Sequence, residues 1–420
     1  MKRVLVPTLI AAACGAALAQ AGPGVTLYGI MDVGVQRVSG YKAGTDTALV
    51  SGIMEGSRFG VRGNEDLGGG WRGIFTMENR TEANNGTLTN RPASGTQVPD
   101  RLNSGPLLGL CAPAPAVCAL QPAVSAVAAS IGGTLGVNLA GGFWDRQIYV
   151  GLVTPYGAVL AGRQYTPAYE MAATFDIMGT QSSLAAGQVA AIPSSIDIRL
   201  SNALQYRIVQ GGLTAAAMYA FGGVSGNNSA SRMGGVMASY KVGDLLVGIG
   251  YNKKNNDLGL ESLTSTVLGA SYAIGPGTIS SMVVRYKDDN PSGVSGIATL
   301  LTPAVGAAAA ALVQGAFTNA LKQDAQAFHI GYRMTTGPNT FYVAYTAAND
   351  KLASNADVSS YGAAYTYSLS KRTDLNLVVT HFDNKNLAQA APGQAGFLGG
   401  VTASAGTDSN SVAFGIRHRF

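Results

Sequence analysis

Residues 25–36 read VTLYGIMDVGVQ, the spelling of a strand with one apolar and one polar face. Val25, Leu27, Met31, Val33 and Val35 fall on one side of a two-residue alternation, and Thr26, Tyr28, Asp32, Gly34 and Gln36 on the other. A period of two belongs to an extended chain whose successive side chains point to opposite sides. The far end repeats it. In SVAFGIRHRF (residues 411–420), Val412, Phe414, Ile416 and Phe420 alternate with Ser411, Ala413, Gly415, Arg417 and Arg419. Between these ends the same period runs through Leu204/Tyr206/Ile208, Val236/Ala238/Tyr240/Val242, Leu245/Val247/Ile249/Tyr251 and Leu268/Ala270/Tyr272/Ile274. It continues in Met282/Val284/Tyr286, Phe328/Ile330/Tyr332/Met334, Phe341/Val343/Tyr345 and Leu375/Leu377/Val379.

Short turn spellings such as Gly68-Gly69-Gly70, Pro155-Tyr156-Gly157, Gly211-Gly212, Gly275-Pro276-Gly277 and Gly337-Pro338 alternate with longer polar or Gly-rich segments. Seven short turns and eight long loops join sixteen strands into up-and-down hairpins, with no domain boundary. Sixteen strands closed into a cylinder enclose a space too wide for side chains to fill. The polar face, built of Thr, Asn, Gln, Ser, Gly and Arg, cannot line a dry core. The apolar face therefore points outward, and strands of about ten residues, tilted, match a bilayer's hydrocarbon thickness. An open sheet edge is not tolerated in lipid, so the sheet closes. The expected fold is all-β: a 16-stranded antiparallel transmembrane β-barrel with short periplasmic turns and long extracellular loops.

Composition agrees. The 420 residues are 47% hydrophobic but only 12% charged, about half the usual charged share, and Gly stands at 56. A soluble sandwich with the same alternation needs far more surface charge, and the low charge also counts against a soluble α/β enzyme. The 18 Tyr against 2 Trp suit an interfacial girdle, where ring and hydroxyl meet different media. The net charge of +5 is scattered, which gives nucleic acid no footprint.

Residues 1–19 read as a secretory signal peptide: Lys2 and Arg3, an apolar run from Val4 to Ala16, then Ala17-Leu18-Ala19 as cleavage site. Residues 20–420 form the single barrel domain. Cys14 raises a lipoprotein reading, but Ala11 rather than Leu stands three residues before it. Cys111 and Cys118, in a Pro-rich stretch of an exported chain, are expected to form a disulfide. A metal site there lacks nearby His or carboxylate ligands. His329, His381 and His418 are dispersed on strands without metal spacing, and rim or surface positions are expected for them. No nucleophile elbow, P-loop or dinucleotide fingerprint is present, so neither a cofactor nor an enzymatic activity is expected.

Several stretches carry a resemblance. VTLYGIMDVG (25–34), SRFGVRGNEDLGGG (57–70), DRQIYVGL (145–152), GRQYTP (162–167) and GIRHRF (415–420) are similar to the trimeric general porins of Gram-negative outer membranes, of β-proteobacterial type. His418 departs from the aromatic more common at its place. The resemblance implies a homotrimer set among outer-membrane lipid and lipopolysaccharide, passing ions and small hydrophilic solutes. It marks Phe420 as the barrel-assembly signal. It also implies that the third extracellular loop, residues 167–199, folds into the lumen as a constriction. The second loop, 82–142, is long for this family, so an adhesin or surface receptor acting through the loops is the alternative reading. Gly296 to Leu321 reads as the sixth loop with a helical piece.

A ring of fixed charge at a narrow, wet point sets which ions pass. Alternation puts Arg58 and Arg62 on the lumen side of the second strand, and Arg72 and Arg80 on that of the third; Arg207, Arg285 and Lys287 are placed inward likewise. Arg163 shares the parity of the apolar Val159 and Ala161, which leaves its side open. The expectation is a basic wall of Arg58, Arg80 and Arg163 facing Glu170 and Asp176 on the inserted loop. More inward arginines than acids implies a mild anion preference.

Overall fold

The computed structural model describes residues 24–87, 98–110, 120–132, 142–178, 197–392 and 398–420. In chain order the barrel strands are β1 (Gly24–Tyr41), β2 (Gly44–Ser51, resumed at Arg58–Gly68), β3 (Trp71–Arg80), β4 (Gln147–Thr154), β5 (Gly157–Tyr165), β6 (Arg199–Gln210), β7 (Leu213–Ala220) and β8 (Met233–Val242). The second half holds β9 (Leu245–Asn255), β10 (Glu261–Ile274), β11 (Gly277–Asp288), β12 (Gln323–Thr336), β13 (Asn339–Asp350), β14 (Val358–Ser368), β15 (Thr373–Asn384) and β16 (Ser409–Arg419). Each strand pairs antiparallel with its neighbour, and the two pieces of β2 pair in turn with the same edge of β1. β1 also pairs with β16, from Ile30↔Arg419 to Ser39↔Asn410, which closes the sheet into sixteen staves. Closure ends on the last residue, where Phe420 and Gly29 exchange two backbone hydrogen bonds of 3.1 Å. The Phe420 ring covers Gly29, leaving no room there for a Cβ.

Burial is inverted relative to a soluble domain. Val25, Leu27, Val35, Val150, Val236, Leu268, Val343 and Phe414 are each more than half exposed on the outer wall. Asp32, Gln36, Glu78, Ser280, Thr346, Ser360 and Asn376 are buried on the inner one. Only a nonpolar surrounding outside the barrel makes that arrangement favourable. Tight hairpins occupy one end; Gly211 and Gly212, at φ +58° and +85°, supply the left-handed pair that a two-residue turn requires.

The opposite end carries the longer connections. Helix α1 (Gln121–Gly132) of the second loop packs near α3 (Ile297–Val305) and α4 (Ala307–Ala320) of the sixth, while α2 (Pro167–Phe175) belongs to the third. Val124, Val127, Ile297, Leu301, Val313 and Phe317 form one apolar cluster shared between the second and sixth loops. Arg101 donates to the Ala320 carbonyl at 2.8 Å, and Asp100 is tied to Lys42 and Gln389, so four connections are knitted together. Among the described residues no helix is long and apolar enough to cross a membrane. Cys14, Cys111 and Cys118 lie outside the described residues.

Three expectations are corrected. The first connection is a tight turn at residues 42–43 rather than a long loop, because the spare chain sits inside β2, at 52–57. On β11 the parity is the reverse of that expected: Met282 and Val284 are buried inward against α2, while Arg285 and Lys287 lie on the outer side, paired with Asp324 and Asp289. An inner face covered by a folded loop is apolar, so greasiness alone misassigns the side. His329 is neither rim nor surface; it is fully buried beneath the third loop.

Candidate functional site

The third loop enters the barrel as α2. Thr166 caps it, its Oγ1 accepting the Tyr169 N–H at 3.4 Å, and Pro167 stands in the first turn, where a missing N–H costs nothing. The helix lies against the inner wall of β7 to β11. Asn252 Oδ1 on β9 accepts the Ala168 N–H at 3.1 Å, and Ser280 Oγ on β11 donates to the Phe175 carbonyl at 2.7 Å. Phe175, Met171 and Tyr169 bury their side chains there, worth about 1.5–3 kcal/mol each. The wall admits them because it is glycine beneath the helix: Gly235, Gly248, Gly250 and Gly269 touch Pro167, Ala168, Met171 or Phe175, and Gly331 touches Ile177. These five of the 56 glycines thus serve as a bed for the inserted chain.

On the other side of the lumen a group of arginines is held in place by hydrogen bonds. Arg58 and Arg80 stand directly opposite each other on β2 and β3. Arg58 Nε donates to the Gly56 carbonyl at 2.9 Å, and Arg80 Nε lies 3.5 Å from Asp145. Arg146, just before β4, donates from Nε to Glu78 at 2.6 Å and from Nη2 to the Tyr165 hydroxyl at 2.9 Å. Arg199 donates to the same hydroxyl at 2.9 Å with its guanidinium 4.5 Å above the Tyr165 ring, which stacks on Tyr169 of α2. Tyr28 donates to Glu78 at 3.2 Å, and Arg62, exposed, lies 5.2 Å above the Tyr28 ring. Like-charged guanidiniums are tolerated at this density because Glu78 and Asp145 are interleaved with them. Their charges act through a fixed field.

The expected residues divide as follows. Arg58 and Arg80 come together with Arg146 and Arg199. Arg62 continues the row along β2, and Arg72 sits opposite Asp66 toward the hairpin end. Arg163 pairs across the strand with the outward Ile148 and is tied to the Asp145 carbonyl at 2.7 Å, away from the basic row's inner face. Glu170 and Asp176 do not face that row as expected. Glu170 is ion-paired with Arg207 on β6. Asp176 lies 3.5 Å from His329 Nε2 on β12, which accepts the Ile177 N–H at 3.3 Å while Nδ1 lies 2.7 Å from Thr346 Oγ1. The helix leans on that wall, so its acids are used as anchors. Arg146 was missed because it precedes its strand, where alternation says nothing; its only sequence trace was its place in DRQIYVGL. No cluster of His, Cys, Asp and Glu suited to a metal ion occurs among the described residues.

Beside this row, burial pushes the Glu82 carboxyl up to about 7, against the opposing pull of Arg80 and a hydrogen bond from Ser51. A raised carboxyl is neutral below that value and negative above it. Lowering the pH from 8 to 6 is therefore expected to add positive charge beside Arg80 and to favour anions over cations further. Reversal potentials at the two pH values check it, with Glu82→Gln expected to flatten the dependence.

Comparison with known proteins gives concordant findings. A family model described as Gram-negative porin matches residues 7–387. The chain is similar to outer membrane porin protein 32 of Delftia acidovorans, 25% identical over 436 residues and spanning all of both chains. Among solved structures, the anion-selective porin from Comamonas acidovorans superposes with a TM-score of 0.67 at 23% identity, over 95% of this chain and 100% of that one. OmpF of Salmonella typhi, in complex with daunomycin, gives 0.54 at 14% identity, over 95% and 98%. The trimer form of OmpT from Vibrio cholerae gives 0.55 at 13% identity, over 95% and 100%.

Proposed function

The chain belongs to the Gram-negative porin family, and from that premise we propose that its arginine row makes an outer-membrane diffusion channel mildly selective for anions. The barrel is an outer-membrane pore through which ions and small hydrophilic solutes diffuse passively. The observation that carries the selectivity is the clustering of Arg58, Arg80, Arg146 and Arg199 on one side of the lumen, with the acids of α2 engaged elsewhere. Fixed positive charge at a narrow point raises the local anion concentration and opposes cations. In a KCl gradient across a planar bilayer, purified protein is expected to give a reversal potential on the chloride side of zero. A potassium-side value rejects the assignment.

The finer reading has these parts. Residues 1–19 are a leader removed on export, 20–420 the barrel, and 167–199 the constriction, with Arg58, Arg62, Arg72, Arg80, Arg146 and Arg199 setting the field and Glu170 and Asp176 anchoring the loop. Cys111 and Cys118 form a disulfide within the second loop. Three copies associate, their outer walls against one another and against lipid and lipopolysaccharide; the OmpT structure in trimer form supports this by fold alone. The family's members are channels, and we read this chain as a channel without catalytic activity.

A further inference from the structure

Six residues in the middle of β2, Gly52 to Ser57, leave the sheet and fold into the lumen, making a second inserted element besides the third loop. β1 pairs with Ser51 through Val33 and with Arg58 through Ile30, so seven steps along β2 face three along β1. The surplus chain turns inward. Ile53 and Met54 pack on Ile177 and Met178, just after α2 in the inserted loop, and on the inner-wall residues Ala344, Ala364, Val378 and Ala413.

We propose that this inward bulge sets the ionic selectivity of the pore, with Glu55 as the lumen carboxylate that partly cancels the basic row and Asp32 as the residue that positions it. Asp32 is fully buried on the inner face of β1. Its Oδ1 accepts the Ile53 N–H at 3.1 Å, and its Oδ2 accepts those of Met54 and Glu55 at 2.9 and 2.8 Å. Three successive N–H groups converging on one anion form a nest, here filled by the protein's own side chain. Ser57 Oγ and the Gly52 N–H bind the Asp32 backbone at 3.0 and 2.8 Å, so both ends of the bulge are pinned to a single residue.

The clamp delivers Glu55 to three cations. Its Oε2 lies 2.9 Å from both Arg417 and Arg419 on β16, and its Oε1 lies 3.6 Å from Arg58. Asp374 on β15 shares Arg417 and Arg419, each at 3.0 Å. The two carboxylates differ in access: the Asp374 side chain is 7% exposed and that of Glu55 26%. Arg58, Arg417 and Arg419 are met here by Glu55, Asp374 and the clamping Asp32, and loss of the Glu55 charge makes the group more positive by one. Asp374 also remains to hold Arg417 and Arg419, so the basic groups stay in position when Glu55 is neutralised.

The proposal rests on the channel reading, and one set of measurements separates the two. Wild-type protein reconstituted in planar bilayers tests the channel; absence of conductance defeats that reading alone. Given a conducting wild type, Glu55→Gln is expected to raise the chloride-over-potassium permeability ratio by roughly threefold at low salt, from the neutralisation of one charge near the ion path. Asp32→Asn is expected to move selectivity in the same direction and to add current noise, because the bulge and its contact with Ile177 and Met178 are released. Folding is checked by the heat-sensitive mobility of the barrel in detergent gels. Should Glu55→Gln not assemble, Glu55→Asp withdraws the charge from Arg417 and Arg419 by one methylene and is expected to shift the ratio the same way. A permeability ratio equal to wild type in the assembled Glu55 variant overturns the role of Glu55. Asp32→Asn indistinguishable from wild type overturns that of Asp32.

Discussion

Replacing Arg58 and Arg62 together by glutamate is expected to carry the reversal potential of this porin through zero, turning an anion-preferring pore into a cation-preferring one. The two residues stand on one row of β2, separated by one inward position, with Arg58 packed beside Arg80 and Arg62 exposed to the lumen. Two unit charges 4 Å apart interact by about 1 kcal/mol in water and about 4 kcal/mol at the effective dielectric near a protein surface. Reversing a charge counts that interaction twice, and the double variant reverses two, whereas a factor of ten in permeability needs only about 1.4 kcal/mol. A mild preference is thus easily inverted. The effect should fade with salt, since the screening length falls from about 10 Å at 0.1 M to about 3 Å at 1 M. Arg372→Glu, in the exposed turn before β15, is the control and should leave selectivity unchanged. If the double variant keeps the wild-type sign at low salt, the arginine row is not the selectivity element.

The alternation legible in VTLYGIMDVGVQ and SVAFGIRHRF carried the barrel, its closure and the outward facing of the apolar sets, because a period of two sorts side chains into two faces. It does not say what covers each face. That is why β11 was assigned the wrong way round: Met282 and Val284 are greasy because α2 lies on them, a fact held in residues 167–175 and not in β11 itself. The same limit governs the constriction. Which of the loop's acids would meet which wall depended on where the helix docks, and Glu170 and Asp176 went to Arg207 and His329. Asp32 was legible only as one more polar residue of the inner face. Its three N–H partners lie more than twenty residues on, in a stretch with no periodicity to read.

What could have pointed to the docking site is the glycine spacing in β8 to β12, and it supplies the second large effect: Gly250→Val is expected to narrow the pore without unfolding it. A Cβ on Gly250 would stand 2.9 Å from Ala168 Cα, from the Pro167 carbonyl oxygen and from Met171 Cγ. Two of those atoms are backbone, so α2 must shift as a body toward the lumen axis. The strand tolerates valine, a residue that suits a β conformation, and overpacking costs typically 1–3 kcal/mol, small beside what a closed sixteen-stranded sheet holds. Gly248→Ala is the contrast: its new Cβ meets the Met171 thioether and the edge of the Phe175 ring, which can rotate away. Single-channel conductance is expected to drop roughly by half in Gly250→Val, as a pore lining moves inward, and to stay near wild type in Gly248→Ala. Liposome swelling should show the larger sugars losing permeability first. A rise in conductance would mean that the helix had left the lumen altogether. The bonds from Asn252 and Ser280 would then be too weak to anchor it, and the bed of glycines would be what retains the constriction.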